Sequence, residues 1–481
     1  MGLFWQFYAT FVICFLSLIM GLMFAWPSST IQIFESPNTP LSRPMSPMEV
    51  SLVSSLSSVG ALIGTPLYGY TLDIVGRKYS AVCAGLSYVI AWSMIASSKE
   101  VLTILISVFI SGLGGSVVLI APLYVAEICQ ISIRGALTSG SVIFYGLGVL
   151  LAYVLGGYMT YYGSVYTQLI LSIIYVLLVF GLEESPVFLI KMGKIEEAAK
   201  SISFYRSVEN DSRVVSDEIA NIRRAFNTAE KYSEEELQLK TQNKEDLIIK
   251  HQAVSTWKFI AQSPSTKRAL LLTLIMMTSC LLMGLGAIQV YAEPLFHRLA
   301  PGWSANLCSI VLAVLVIVTN VVAAYFTDLA GRRALMIYSS MASGMSMLLL
   351  ASQIQYCWAP PWVNVALVFL FSVAFSLGSG TIPYVLVAEV FLPEVKSFCS
   401  MLVIEWGWLV NFLLLFAFNP LDEAIGLANV FYAFSIICFG AMVYSMFSLP
   451  ETKGLHVDVI QKLFLPNTNK KYRASAINNN I

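Results

Sequence analysis

The sequence predicts an all-α membrane protein of twelve spanning helices in two pseudo-symmetric six-helix bundles, joined by a cytoplasmic helical linker. Three observations carry that expectation. Of 481 residues, 57% are hydrophobic and only 12% charged, against about 25% charged in soluble domains. Mean hydropathy is +0.75, so the chain has too little charge to cover a water-facing surface of its size. Twelve apolar runs are each long enough, at about 20 residues, to cross a bilayer as a helix. Polar knots between those runs recur at similar offsets in the two halves.

The first six runs lie near 7–29, 50–72, 79–98, 101–125, 135–157 and 163–182. The second six lie near 269–292, 305–327, 334–355, 362–390, 397–419 and 425–448. The expected division is a bundle over 1–182, a cytoplasmic linker over 183–268, a second bundle over 269–448 and a cytoplasmic tail over 449–481. The first run lacks a basic leader and is too long for the core of a cleavable signal, so it reads as the first span. The loop after it carries Pro37, Pro40, Pro44 and Pro47. Ser46, Pro47 and Glu49 then supply the N-cap, first-turn proline and capping-box acid of the second helix.

Within the linker, Ile195, Ala198, Ala199, Ile202 and Tyr205 form one apolar stripe at helical spacing, and similar stripes run through Val215–Phe226 and Leu247–Ile260. A solvated helical cap over the cytoplasmic helix ends fits these stripes. With both termini and the linker on one side, that side holds 25 of the 28 Lys and Arg; Arg43, Lys99 and Arg298 fall opposite. Positive loops stay cytoplasmic, which places both termini there. The triplet Asn210-Asp211-Ser212 then faces the cytoplasm and is not expected to carry a glycan. The eight cysteines are scattered through apolar runs without CxxC spacing, which gives no zinc or redox site. A balance of 28 basic and 28 acidic residues gives no case for nucleic acid.

The polar knots carry the functional signal. Gly69-Tyr-Thr-Leu-Asp73-Ile-Val-Gly76-Arg77-Lys78 returns as Ala324-Tyr-Phe-Thr-Asp328-Leu-Ala-Gly331-Arg332-Arg333. Pro122–Glu127 leads to Arg134, and Pro383–Glu389 leads to Lys396 at the same spacing from the acid. Glu184-Ser185-Pro186 follows the sixth run, and Pro450-Glu451-Thr452-Lys453-Gly454 the twelfth. The offsets Asp73/Asp328, Glu127/Glu389 and Glu184/Glu451 are 255, 262 and 267 residues. Such near-constancy marks an internal repeat. Carboxylates beside fixed cations at helix ends can hold one arrangement and release another, biasing a two-state equilibrium. Read singly, each pair would be an ordinary interfacial anchor.

These motifs, in this order, resemble the sugar porter branch of the major facilitator superfamily, over nearly the whole chain, and look like those of facilitated trehalose transporters. Ser376-Leu-Gly378-Ser-Gly380-Thr-Ile-Pro383-Tyr384 is similar to the tenth-helix segment there, with Tyr384 where the family usually has Trp. The resemblance implies a cytoplasmic charge network of Asp73, Arg77, Lys78, Glu127, Arg134, Glu184, Asp328, Arg332, Arg333, Glu389, Lys396 and Glu451, which in the family latches the outward-facing state. It implies a cavity lined by Trp408, Asn411, Tyr384, Ser376 and Tyr291. The sequence departs from the family at Cys280, Leu281 and Gly286, where the seventh helix usually offers two Gln and an Asn, and at Val142, Val316 and Ser107.

Gln289, Asn320 and Thr138 are further polar candidates for the cavity, or else hold neighbouring helices together. Gly378, Gly380 and Pro383 interrupt the tenth helix, because glycine lacks a Cβ and proline an N–H; that suits a gate, or close helix packing. Glu405 lies about eight residues into the eleventh run, at a depth where charge marks function. It could bind a cation, relay a proton, pair with a cavity donor, or sit protonated against a neighbour. The first helix has no acid before Glu35, so the carboxylate of proton-coupled sugar porters is missing, and facilitated transport is expected unless Glu405 serves.

The sequence thus reads as a transporter of a small polar solute, a sugar of the trehalose or hexose class, working by alternating access in the plasma membrane as a monomer. Its partners would be the lipid bilayer and that solute. It shows no nucleophile, metal-ligand or phosphate-loop constellation, and no cofactor or enzymatic activity is expected. The alternatives are a non-sugar solute, since three polar groups of the seventh helix are gone, and a non-transporting nutrient sensor, which a tail of only about thirty residues disfavours.

Overall fold

The computed structural model describes residues 2–210, 212–224, 263–455 and 457–464. Among them, twelve helices are long and apolar enough to span a membrane. They are α1 (Leu3–Glu35), α2 (Pro47–Ile74), α3 (Arg77–Ser97), α4 (Val101–Ile128), α5 (Ser132–Tyr158) and α6 (Tyr161–Phe180). The second set is α7 (Pro264–Val290), α8 (Ala305–Thr327), α9 (Arg332–Tyr356), α10 (Trp362–Glu389), α11 (Val395–Ile425) and α12 (Leu427–Ser448).

Two spans outrun the apolar runs that announce them. α1 continues past Ser29 because Ile31 and Phe34 are buried there. α11 continues through Pro420 to Ile425 and stops where Gly426 takes φ +84°, a conformation glycine adopts without a Cβ clash. The start of α2 follows the expected capping box: Ser46 Oγ accepts from the Glu49 amide and Glu49 Oε2 accepts from the Ser46 amide at 2.8 Å.

Each half packs its own six helices, α1 against α5 and α9 against α12 most extensively. Lipid gives no hydrophobic drive between helices, so close backbone approach and van der Waals contact must hold them. Gly21 and Gly148 meet this need between α1 and α5: a Cβ on either would land on the other helix's backbone, at Tyr145 O and Leu18 O respectively. The halves meet along α2–α11 and α5–α8.

Beyond α6, helices Pro186–Lys191 and Ile195–Arg206 form the described part of the linker, followed by a helix over 213–224. Ile195–Arg206 buries Ala198, Ser201, Ile202 and Tyr205, largely the stripe read from sequence. Arg206 bonds Glu218 of the next helix and donates to Ile128 O at 2.8 Å. Gln6 ties α1 to both neighbours, donating to Tyr205 O at 3.3 Å and accepting from the Gln130 amide at 2.9 Å. Residues 225–226, the stripe Leu247–Ile260, and Asp211 within the Asn210 triplet lie outside the described residues.

Candidate functional site

The charged knots fold into two copies of one construction on the side where α3 and α9 begin, called here the basic side. In the first half, Arg77 Nε and Nη2 each donate to Glu127 at 2.8 Å, and Nη1 donates to Leu72 O at 2.8 Å. In the second, Arg332 Nη2 donates to Glu389 at 2.8 Å and Nη1 to Thr327 O at 3.0 Å. Glu184 Oε1 accepts from the Arg77 amide at 2.9 Å and from the Lys78 amide at 3.1 Å. Glu451 accepts from the Arg332 and Arg333 amides at 2.9 and 3.1 Å. Glu184 therefore sits on the N-terminus of α3 and Glu451 on that of α9, where free N–H groups and the helix dipole favour an anion.

Burial pushes the Glu184 carboxyl above its ordinary range, against the opposing pull of the Ser185, Lys78 and Arg77 amides. Lys78 Nζ reaches Phe180 O at 3.0 Å, and Arg333 Nη2 reaches Met446 O at 2.5 Å, the same contact in each half.

Ser185 and Thr452 complete the copies. Ser185 Oγ donates to Glu127 Oε2, and Thr452 Oγ1 donates to Glu389 Oε2 at 2.7 Å. Their shared place, one residue after the paired acids, is visible in the sequence, but the hydroxyl role is not. Asp73 pairs with Lys191 at 3.0 Å, a partner from the linker that motif spacing does not supply. Arg134 and Lys396 are exposed and make no ion pair among the described residues, so the structure does not bring them into the network. They open the next helices, beyond the acids they follow in sequence. The Asp328 side chain lies outside the described residues. None of the ion pairs described in the knots joins one half to the other.

The opposite side joins the halves. Glu293, just beyond α7, donates its amide to Ser28 Oγ of α1 at 3.0 Å. Tyr153 of α5 donates to Gln289 O at 2.7 Å and accepts at its carbonyl from Asn306 of α8 at 2.7 Å. Gly157 allows the last approach: a Cβ there would occupy the space of the Asn306 amide. Tyr291 is packed into this closure, stacked on Phe418 with centroids 4.9 Å apart and donating to Leu415 O at 3.1 Å.

Between these ends, α1, α2, α3 and α4 face α11 across a cleft. A cavity of about 20 Å³ there is lined by Met20, Met23, Phe24, Ser57, Ala61, Tyr88, Ser111, Gly112, Gly115 and Trp408. That holds about one water. Asn411 is buried and donates to Ser58 Oγ of α2 at 2.8 Å. Trp408 Nε1 and Glu405 Oε1 are both buried without a hydrogen-bond partner among the described residues.

On α10, Phe375–Ser379 winds as a π-helix before Ile382–Glu389 resumes the α-helix. The break falls at Gly378, Gly380 and Pro383 as the sequence suggests. Gly378 also admits α9, since a Cβ would sit 2.5 Å from Ser339 Oγ. Ser376 is buried with its Oγ unpartnered, whereas Tyr384 is 49% exposed. Gln289 is buried, its amide without a hydrogen bond among the described residues. Asn320 is half-buried, and Thr138 bonds back to Arg134 O at 2.9 Å on its own helix. No group of three or more His, Cys, Asp or Glu suited to a metal occurs among the described residues.

Curated relatives share this sequence at low identity. A facilitated trehalose transporter from Aedes aegypti is 24% identical over 453 residues, 93% of this chain and 53% of its own. One from Culex quinquefasciatus is 23% identical over 456 residues, covering 93% of this chain and 83% of its own. The chain thus spans about half the length of several relatives it matches, 47% for that of Drosophila virilis. Among solved structures, the inward open xylose transporter XylE from E. coli superposes with TM-score 0.75 at 19% identity, covering 95% of this chain and 99% of that one. The model of one family, described as sugar (and other) transporter, matches residues 1–464, and the chain belongs to that family.

Proposed function

We propose that this chain moves a sugar of the trehalose or hexose class down its gradient across the plasma membrane by alternating access. The observation that carries the mechanism is an asymmetry of contacts. The two halves are hydrogen-bonded together beside Ser28, Tyr153 and Asn306, while no ion pair described on the basic side joins one half to the other. Two bodies, 1–182 and 269–448, would rock about the cleft at Trp408 and Asn411. With the basic side cytoplasmic, both termini lie inside the cell and this arrangement faces inward. The bridging contacts on the outer side would then part when the cleft opens outward. The protein works as a monomer, transforms no substrate and binds no nucleic acid. The names of the relatives support the sugar class and the facilitated mode.

A second reading has its own observation. Cys280, Leu281 and Gly286 stand on α7 where the sugar porters that this chain resembles usually have amides, and the cavity is lined by Met, Phe, Tyr and Trp with few polar groups. Those features suit a less polar solute. Uptake into proteoliposomes separates the two, using radiolabelled trehalose, glucose, amino acids and organic ions. Saturable sugar uptake supports the proposal; uptake of non-sugars alone overturns it. Sugar binding without any uptake would indicate a sensor.

A further inference from the structure

We infer that Glu405 and Trp408 form a hydroxyl-recognition pair on α11, in which one sugar hydroxyl donates to Glu405 Oε1 and accepts from Trp408 Nε1–H. The inference rests on the sugar reading and assigns the carboxylate a place in the substrate site.

The argument begins with charge. Among the acids of the twelve spans, Glu405 alone stands ten residues or more from either helix end. Within the twelve described spans, no basic residue stands at that depth. Every Lys and Arg within a span falls in its first five positions: Arg77, Lys78, Arg134, Lys267, Arg268, Arg332, Arg333 and Lys396. The neighbouring helices α2, α7, α10 and α12 therefore bring no cation to it. A polar group in such surroundings is costly unless it is hydrogen-bonded, yet Glu405 Oε1 is buried without a partner.

The second observation is independent. Three residues along the same helix, Trp408 Nε1 is a buried donor that is also unpartnered. Positions i and i+3 are neighbours on a helix surface. Trp408 lines the cleft between the halves, and Asn411, one turn further on, is already occupied by Ser58. Among the described residues, α11 thus leaves one acceptor and one donor unpartnered, three positions apart. A hydroxyl donates and accepts at once, and a sugar presents such groups around an apolar ring, which Trp408 can also contact. Oε1 accepts whether or not the carboxyl carries a proton. The pair offers polar recognition from α11 where α7 supplies Cys280, Leu281 and Gly286.

The test is uptake of radiolabelled glucose and trehalose into proteoliposomes, competed by a series of monodeoxyglucoses. Wild type is expected to discriminate against one deoxy analogue. Glu405→Leu should raise the half-saturation concentration about tenfold, leave the maximal rate within about twofold, and abolish that discrimination. Glu405→Gln, which keeps an acceptor oxygen, should stay within about threefold of wild type. Trp408→Phe should lose discrimination against the same analogue. If Glu405→Leu does not insert stably, the Trp408→Phe and wild-type analogue series decides the matter alone. Unchanged discrimination, or a reduced maximal rate at unchanged half-saturation, overturns the inference. So does a proton current with wild type that Glu405→Gln removes, since Glu405 would then carry protons. Absence of any sugar uptake by wild type overturns the sugar reading itself.

Discussion

Asn411 and Ser58, 353 positions apart, meet at 2.8 Å across the boundary between the halves. The bond joins α11 to α2 beside the cleft, so it belongs to the arrangement seen here and must be remade or abandoned if the halves rock. Ser58→Ala leaves the Asn411 amide donor buried and unpaired. A hydrogen bond contributes about 0.5–1.5 kcal/mol net, so the population should shift two- to tenfold away from this arrangement. Spin-label distances across both sides, compared with wild type, would measure the shift; unchanged distributions would mean the bond does not distinguish the states.

Gly157 tests the opposite side directly. Its missing side chain is the space that Asn306 uses to reach Tyr153 O at 2.7 Å. Gly157→Leu would wedge α5 from α8 and hold that side apart. The expected outcome is loss of at least nine-tenths of uptake, with a widened spin-label distance on that side only. Binding of sugar from that side should persist.

The knots give a stability prediction with an internal control. Arg77 and Glu127 side chains are 7% and 10% exposed, whereas in the second copy Glu389 is 27% exposed beside Arg332 at 10%. Removing one member of a buried pair strands its partner, at about 3–5 kcal/mol when burial is complete. Glu127→Ala should therefore lower the thermal midpoint of the detergent-solubilised protein more than Glu389→Ala. Equal losses would mean that burial does not set the strength of these pairs.

The sequence conveys most of this architecture and only part of the site, for identifiable reasons. Spanning helices announce themselves because lipid demands long apolar runs. Charged knots do so because chain duplication keeps Arg77/Arg332 and Glu184/Glu451 in register. Hydroxyl partners escape notice: Ser185, Thr452, Ser28 and Ser58 are short polar residues in a chain rich in them, and only three-dimensional contact separates a bridge from a bond to the residue's own helix. Lys191 escapes because its partner Asp73 is 118 positions away. Arg134 and Lys396 are legible as a repeated pair of cations, but their spacing from an acid does not say what they contact in this arrangement, where both are exposed. Tyr291 follows directly on the end of α7, and only three-dimensional contact shows its ring stacked on Phe418.

Gly76 and Gly331 take φ +105° and +84° at equivalent turns between spans. A Cβ at Gly331 would stand 2.6 Å from Glu451 Oε2, and one at Gly76 would collide with Glu184. Alanine at either site combines backbone strain of about 1–3 kcal/mol with displacement of the acid from the helix N-terminus. Both Gly76→Ala and Gly331→Ala should therefore lower the thermal midpoint, and Gly76→Ala combined with Glu184→Ala should lose less than the sum of the two. Strict additivity would show that the turn and the acid are not coupled.

Glu184 lends the first knot a pH dependence of defined sign. Burial raises its carboxyl above the ordinary value near 4.5, and the Ser185, Lys78 and Arg77 amides offset that only in part. The folded protein then holds this proton more tightly than the unfolded chain does. Between the unfolded and folded values the native state binds more protons, so stability falls as pH rises through that window. Ionised Glu184 thus opposes the fold at neutral pH, and mild acid relieves the opposition. Glu184→Gln removes the titration while keeping an acceptor oxygen toward the Arg77 amide. The thermal midpoint of wild type relative to Glu184→Gln should rise as pH falls from 7 and level off below about 4. A difference that is flat, or that runs in the opposite direction, would show that the amides of the α3 N-terminus outweigh burial at this carboxylate.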